Sequence, residues 1–424
     1  MSDTASPPAA LPTTRTCPFD PPAELARLRA EQPVSRLVFA DGSAGWLVTD
    51  HALARQVLAD PRFSSRGDLL RSPLRQREPE PPVPGMFIFM DPPEHHRYRK
   101  LLTGQFTVRR MNQLEAEVSR IVEERLDAME QHGPPVDLVD VFALPVATQL
   151  ICQPLGVPYE QHETFERQAS AMLSLAAGPA ADAAGEAMFG FLHGLAASRR
   201  AAPADDLISD LVTRGGPDGT GLDAAGVDGT GLDAAGLDGT GLDDTGLDDT
   251  EVAGIAMMLL VAGHETTANM LGLGTFALLR HPAQLAALRA DPGLAGGAVE
   301  ELLRHLSIVQ YEMNRTALAD VELGGQLIRA GEAVCVSLPA ANRDPNRFER
   351  PDELDITRSA RGHLAFGHGV HQCLGQQLAR VELRVGFTAL FRRFPALRLA
   401  VPAEEVPLRV DRGIYGVYRL PVSW

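Results

Sequence analysis

Cys373 ends the string Phe366-Gly367-His368-Gly369-Val370-His371-Gln372-Cys373 and precedes a helix-like run from Leu374 to Phe391. A thiolate at a helix N-terminus is stabilised by free backbone N–H groups and by the helix dipole. Gly367 and Gly369 permit a sharp turn and the close approach of a flat ligand. Together these features suit a thiolate that binds iron inside a planar macrocycle and is tuned by N–H donors. Two other readings compete. The cysteine can be a small core residue, or His363, His368, His371 and Cys373 can hold zinc, although H-x4-H-x2-H-x-C is no standard zinc spacing.

Three further groups carry chemistry. Val261-Ala262-Gly263-His264-Glu265-Thr266-Thr267-Ala268-Asn269 lies in a run that is apolar on every side, as in a buried helix. Burying the Glu265 carboxyl is costly unless it is paired or used. Glu265 and Thr266 suit proton delivery, with an acid relaying protons and a hydroxyl holding a water. The other reading has both bonded to backbone or water. Thr267 reads as structural and His264 as a packing or relay residue. Glu301 and Arg304 stand at i, i+3 on one helical face, as an ordinary surface pair also does. In Met90–Lys100, Asp91 suits an N-cap, Pro92 the first helical position and Glu94 the capping box. His95 and Arg99 then share a face at i, i+4.

The Cys373 string resembles the cysteine-ligand signature of the cytochrome P-450 family, with Phe366, Gly367, Gly369, His371, Cys373 and Gly375 all matching. The other groups are similar to family motifs in family order: the oxygen-activation motif, E-x-x-R, and D-P-P-E-H-x-R-x-R. The resemblance implies haem b held by Cys373, with O2 bound and protonated through Glu265 and Thr266. Ala262 and Gly263 would leave room for oxygen and substrate. His95, Arg99, Arg315 and His371 would bind the haem propionates. Glu301 and Arg304 would lock the core as a structural pair, with Arg343 a candidate third partner.

The implied reaction is monooxygenation of an apolar, small or medium-sized molecule, by hydroxylation or epoxidation. Natural-product tailoring or xenobiotic oxidation is the expected setting. No dinucleotide-binding fingerprint or flavin module is present, so NAD(P)H electrons would arrive through a ferredoxin and its reductase. Arg97, Lys100, Arg109 and Arg110 are a candidate basic patch for that partner. The expected pocket uses residues 83–90, Ser170–Met188, Leu259, Ala262, Ile308–Asn314 (with Glu312) and Ile414–Tyr415. Residues 175–186 are expected to form a lid. Peroxide-driven or non-oxygenating chemistry, and a haem sensor, are the alternatives.

These residues need a scaffold. The 424 residues are 45% hydrophobic and 22% charged, which is a globular balance. The expected fold is mainly α with small β-sheets, the cytochrome P-450 fold. Residues 1–16 read as a flexible tail and 17–424 as one domain. A buried helix of roughly 30 residues is expected to begin near Asp249 and end before Pro282. Val34–Phe39, Gly45–Val48, Val321–Leu323, Gln326–Ile328 and Ala333–Ser337 read as strands, with Gly324-Gly325 as a hairpin turn. Residues 215–249 read as a low-complexity loop of ten-residue repeats, such as Asp218–Val227.

The net charge of −16 argues against a nucleic-acid partner. The four cysteines are widely spaced, which suits a reducing compartment. No signal peptide or membrane span is expected, so the chain reads as soluble and cytoplasmic, and a monomer is expected.

Overall fold

A computed structural model describes residues 9–76, 81–106, 108–172, 174, 178–213 and 246–424; the side chains of 108–113 lie outside the description. Helices dominate and the sheets are small, as the sequence predicts. The organising element is a helix of 32 residues, Asp249–Arg280, about 48 Å long at about 1.5 Å per residue. Asp248 caps it. Its side chain accepts from the Glu251 N–H, and Glu251 accepts from the Asp248 N–H, completing a capping box.

This helix is buried because others wrap it. Helices Leu144–Leu155, Pro179–Ala201 and Gln376–Arg393 pack directly on it. Glycine sets the close approaches. A Cβ on Gly254 would fall 1.9 Å from the Pro84 carbonyl oxygen, which pins the 83–90 loop to the helix. A Cβ on Gly263 would press on Ile151, so this glycine permits close packing with helix Leu144–Leu155.

The larger sheet has five strands in the order Val34–Val38, Ala44–Val48, Ala333–Val336, Asn314–Ala317 and Phe63–Ser64. Only the Ala44–Val48 and Ala333–Val336 pair is parallel. The hairpin Val321–Leu323 and Gln326–Ile328 turns at Gly324 and Gly325, both at positive φ as such a turn requires.

Two expectations are corrected at the ends of segments. Residues 9–16 are not a loose tail. Ala9 accepts from the Val38 N–H at 2.9 Å, Leu11 is buried, and Arg15 lies 4.1 Å over the Tyr415 ring. Residues 1–8 and 214–245, which include most of the ten-residue repeats, lie outside the described residues. The end of the expected loop belongs to the core instead: Leu247 is buried and its carbonyl accepts from Arg200 at 2.8 Å.

Glu301 and Arg304 form a buried bidentate pair at 2.8 Å. The third partner is Arg358, whose Nε lies 3.1 Å from Glu301. Arg343 does other work. It donates to the Phe19 and His305 carbonyls and pairs with Asp20 and Asp352, tying the N-terminal segment down. Arg304 also donates to the Asn342 carbonyl at 2.9 Å, while Asn342 Oδ1 accepts from the Leu364 N–H at 2.7 Å. The pair therefore braces the chain just before the Cys373 loop.

Removing one member of a buried pair strands the other charge. Glu301→Gln is expected to lower unfolding free energy by about 3–5 kcal/mol in urea titrations. Glu24→Gln, in an exposed helical pair with Arg27, should leave the transition unmoved.

Candidate active site

Cys373 sits where the glycine loop meets helix Gln376–Arg393. Its N–H donates to the Phe366 carbonyl at 2.8 Å and closes the loop. Gly367 and Gly369 have φ of 69° and 75°, where a side chain would be strained. A Cβ on Gly369 would also lie 2.4 Å from the Leu58 carbonyl oxygen. Burial pushes the Cys373 thiol up, while the Gly375 N–H, Arg99 and Arg380 favour its anion. Arg380 stacks 4.6 Å from the Phe366 centroid and donates to Glu300 at 2.6 Å. Burial opposes the Glu300 charge, yet His363 and Arg380 hold this carboxyl down to about 2.

A cluster of nitrogen-bearing side chains surrounds this loop. Helix Glu94–Thr103 supplies His95 and Arg99, the strand Asn314–Ala317 supplies Arg315, and the loop supplies His371. The His95 and His371 rings lie 4.2 Å apart. Arg99 donates to the Gln372 carbonyl at 2.7 Å and Arg315 to the Asn314 carbonyl at 2.8 Å. Neither guanidinium has an ion-pair partner among the described residues. Both nitrogens of buried His95 lack a hydrogen-bond partner there too. Burial, reinforced by neighbouring cations, pushes His95 down to about 4 and His371 to about 2. Burial also lowers Arg315 to about 10. Uncompensated cations of this kind call for an anionic ligand.

The long helix supplies the opposing chemistry. Ala262 is exposed although Leu259, Leu260 and Glu265 are buried, so the apolar packing of the long helix is interrupted there. Leu374, beside Cys373, packs against the same apolar cluster as Leu259 and Leu260. Thr266 Oγ1 donates to the Ala262 carbonyl at 2.6 Å. Glu265 is buried but paired: its Oε2 accepts from Arg409 at 2.8 Å and from Asn269 at 3.1 Å.

Several expected placements change. The helix holding His95 starts at Glu94 with no side-chain cap, because Asp91 accepts from Ser64 Oγ and Ser65 N–H instead. Arg97 leaves the basic patch by pairing with Glu251 and crossing the Tyr98 ring. Lys100 is exposed, and the side chains of Arg109 and Arg110 lie outside the described residues. His363 accepts from the Ala365 N–H and meets Glu300 at 3.1 Å, so both its nitrogens are engaged. No metal cluster of three His, Cys, Asp or Glu occurs among the described residues. Among expected pocket residues, Tyr415 turns away to donate to the Pro18 carbonyl. Glu312 packs its carboxylate against Gly413. Residue 173 of the expected pocket segment and residues 175–177 of the expected lid lie outside the description.

Arg409, Arg358 and Glu382 had no local signal in the sequence. Glu382 is buried on helix Gln376–Arg393 and accepts from Thr267 Oγ1 at 2.9 Å. Burial raises its carboxyl to about 7, opposed only by that hydroxyl.

A family model described as Cytochrome P450 matches residues 294–416. The chain is 48% identical to Cytochrome P450 105C1 of a Streptomyces species, covering 99% of this chain and 100% of that protein. It is 40% identical to the 20-oxo-5-O-mycaminosyltylactone 23-monooxygenase of Streptomyces fradiae, over 98% of this chain and 92% of that one. The solved structure of CYP105P1 in complex with filipin I matches with a TM-score of 0.87 at 44% identity, over 99% of both chains.

The Glu382 carboxyl has a testable sign. Its folded value, about 7, exceeds the ordinary carboxyl value of 4.5, so folding favours the protonated form. That contribution is complete below 4.5 and is lost as pH rises through about 7. Between pH 4.5 and about 8, unfolding free energy should fall by about 3 kcal/mol more in the parent than in Glu382→Gln. Chemical denaturation across that range measures it.

Proposed function

The chain belongs to the cytochrome P450 family and is a haem-thiolate monooxygenase, and from that premise we propose that it hydroxylates or epoxidises an apolar natural product of small or medium size. The observation that carries this reading is a cysteine at a loop–helix junction beside two guanidinium groups, Arg315 buried and Arg99 half-buried, that have no ion-pair partner among the described residues. A haem b would meet both needs: Cys373 would hold its iron, and Arg99, Arg315, His95 and His371 would hold its two propionates. When bound, the haem supplies O2 activation.

The protein supplies protons, space and electron entry. Ala262 leaves an opening in the long helix. The Thr266 hydroxyl, anchored on the Ala262 carbonyl, can hold a water beside that opening. Glu265 is the acid that passes protons toward it. Both side-chain bonds to Glu265 fall on Oε2, so Oε1 has no protein donor among the described residues and can carry the proton. Gly263 and Gly375 act on this site through close packing and through the N–H beside the thiol.

Electrons would come from NAD(P)H through a ferredoxin and its reductase. Exposed Lys100, on the helix that carries Arg99, supports docking on the Cys373 side. No described helix is long and apolar enough to cross a membrane. For the substrate, Val83 and Ile88 expose apolar surface on the loop pinned to the long helix. The relatives' names point to filipin and a glycosylated lactone, which supports natural-product tailoring.

Turnover with 18O2, a ferredoxin and its reductase tests the reaction. One labelled oxygen should enter the product; an unlabelled product would remove oxygen insertion. Thr266→Ala should retain haem yet cut product per NAD(P)H by at least about 10-fold, with peroxide released instead. Unchanged coupling would take Thr266 out of proton delivery.

A further inference from the structure

Arg409 reaches Glu265 from far along the chain, and the segment that carries it also holds a second helix. Leu408 bridges Val417, and the Arg409 N–H donates to the Gly416 carbonyl at 2.9 Å, forming a hairpin. On one side Arg409 Nη2 lies 2.8 Å from Glu265 Oε2, and both side chains are nearly inaccessible. Gly416 allows this approach, because a Cβ there would lie 2.0 Å from Asn269 Oδ1. Asn269 in turn donates to the Glu265 carbonyl at 2.7 Å and to its carboxylate.

The other side of the hairpin faces helix His162–Met172. Arg412 Nη1 donates to the Ser170 carbonyl, and Arg412 bridges Ser174. Ser170 lies in the last turn of its helix, where carbonyls lack intrahelical donors and a cation is favoured. That helix lies over the long one through Phe165, whose ring is 5.0 Å from the His264 ring. Within the hairpin the two arginines meet one side chain. Arg409 lies 5.5 Å and Arg412 5.8 Å from the Tyr418 centroid, and Arg412 Nε donates to the Tyr418 hydroxyl at 3.0 Å. A contiguous set of contacts therefore runs from Ser170 through Arg412, Tyr418 and Arg409 to Glu265.

We propose that the hairpin Leu408–Tyr418 is a strap that ties the seating of helix His162–Met172 to the Glu265 carboxylate, with Arg412 as its latch and Arg409 as the positioning residue. It rests on Glu265 being the proton-passing acid proposed above, and adds what holds that acid. With the latch engaged, Arg409 fixes Oε2 and leaves Oε1 to carry the proton. When helix His162–Met172 lifts, Arg412 loses its acceptor and the strap loses an anchor. Arg409 then no longer sets the acid, and proton delivery becomes inefficient. Proton supply is in this way restricted to the state in which helix His162–Met172 is seated.

Substrate-free oxidation of NADPH through a plant-type ferredoxin and its reductase reads this directly. O2 takes two electrons and two protons to give peroxide, or four of each to give two waters. The peroxide fraction thus reports failed proton delivery. Glu265→Gln should raise that fraction several-fold, as should Arg409→Ala, with Arg409→Lys recovering much of the loss. Arg412→Ala, which touches no part of Glu265, should raise it as well and speed amide exchange in residues 162–172. The double variant Arg409→Ala/Arg412→Ala should add nothing beyond Arg409→Ala, since both act through one strap. If Arg412→Ala leaves the peroxide fraction at the parent value while Glu265→Gln raises it, the strap is refuted and the role of Glu265 stands. If Glu265→Gln changes nothing, the role of Glu265 falls first. Arg412→Gln serves should the alanine variant not fold. A purely structural hairpin would lower the unfolding midpoint without moving the partition between peroxide and water.

Discussion

Positive charge withdrawn from water without an ion-pair partner, buried at Arg315 and half-buried at Arg99, is the constraint on which the rest of the structure depends. Arg99 and Arg315 have no ion-pair partner among the described residues, and His95 and His371 are held neutral beside them. A folded chain bears this cost only where a ligand repays it. Elements distant in sequence converge to build that cluster: a helix near residue 95, a strand near 315 and the loop before Cys373. The Glu301–Arg304–Arg358 group, through Asn342 and Leu364, holds the loop in place. A dianionic cofactor edge and an anionic sulfur fit the same region, because the cations that attract carboxylates also favour the thiolate.

The long helix answers this cluster with a different economy of charge. Its one exposed alanine, its threonine and its paired glutamate stand in succession, while the residues on either side are apolar and packed. Glu265 avoids the usual penalty of burial through Arg409 and Asn269. Glu382 avoids it by keeping its proton, with Thr267 as a single hydrogen-bonding partner. Adjacent threonines thus take different partners, Thr266 the Ala262 carbonyl and Thr267 the Glu382 carboxyl, which is largely protonated below neutral pH. The binding of substrate, the seating of helix His162–Met172 and the setting of Glu265 then form one physical problem rather than three.

How much of this was legible in the sequence follows from how local each feature is. The Cys373 loop is written in consecutive residues, so its turn, thiol and following helix could be read directly. The long helix was readable from its uniform apolarity and acidic start, and Glu301–Arg304 from i, i+3 spacing. Contacts across the chain were not. Arg409 meets Glu265 from 144 residues away, Glu382 meets Thr267 from 115, and Arg358 meets Glu301 from 57. No local pattern distinguishes these residues from surface charges. Asp91 shows the converse error: its sequence suits a helix cap, but Ser64 and Ser65 compete for the carboxylate and win.

The most direct measurement is the absorption spectrum of the reduced, CO-bound protein, taken side by side for the parent and Cys373→Ser, both loaded with haem. A sulfur ligand from Cys373 predicts a strongly red-shifted Soret band in the parent and its loss in the serine variant. A band that persists in Cys373→Ser, or that never appears in the haem-loaded parent, would contradict it.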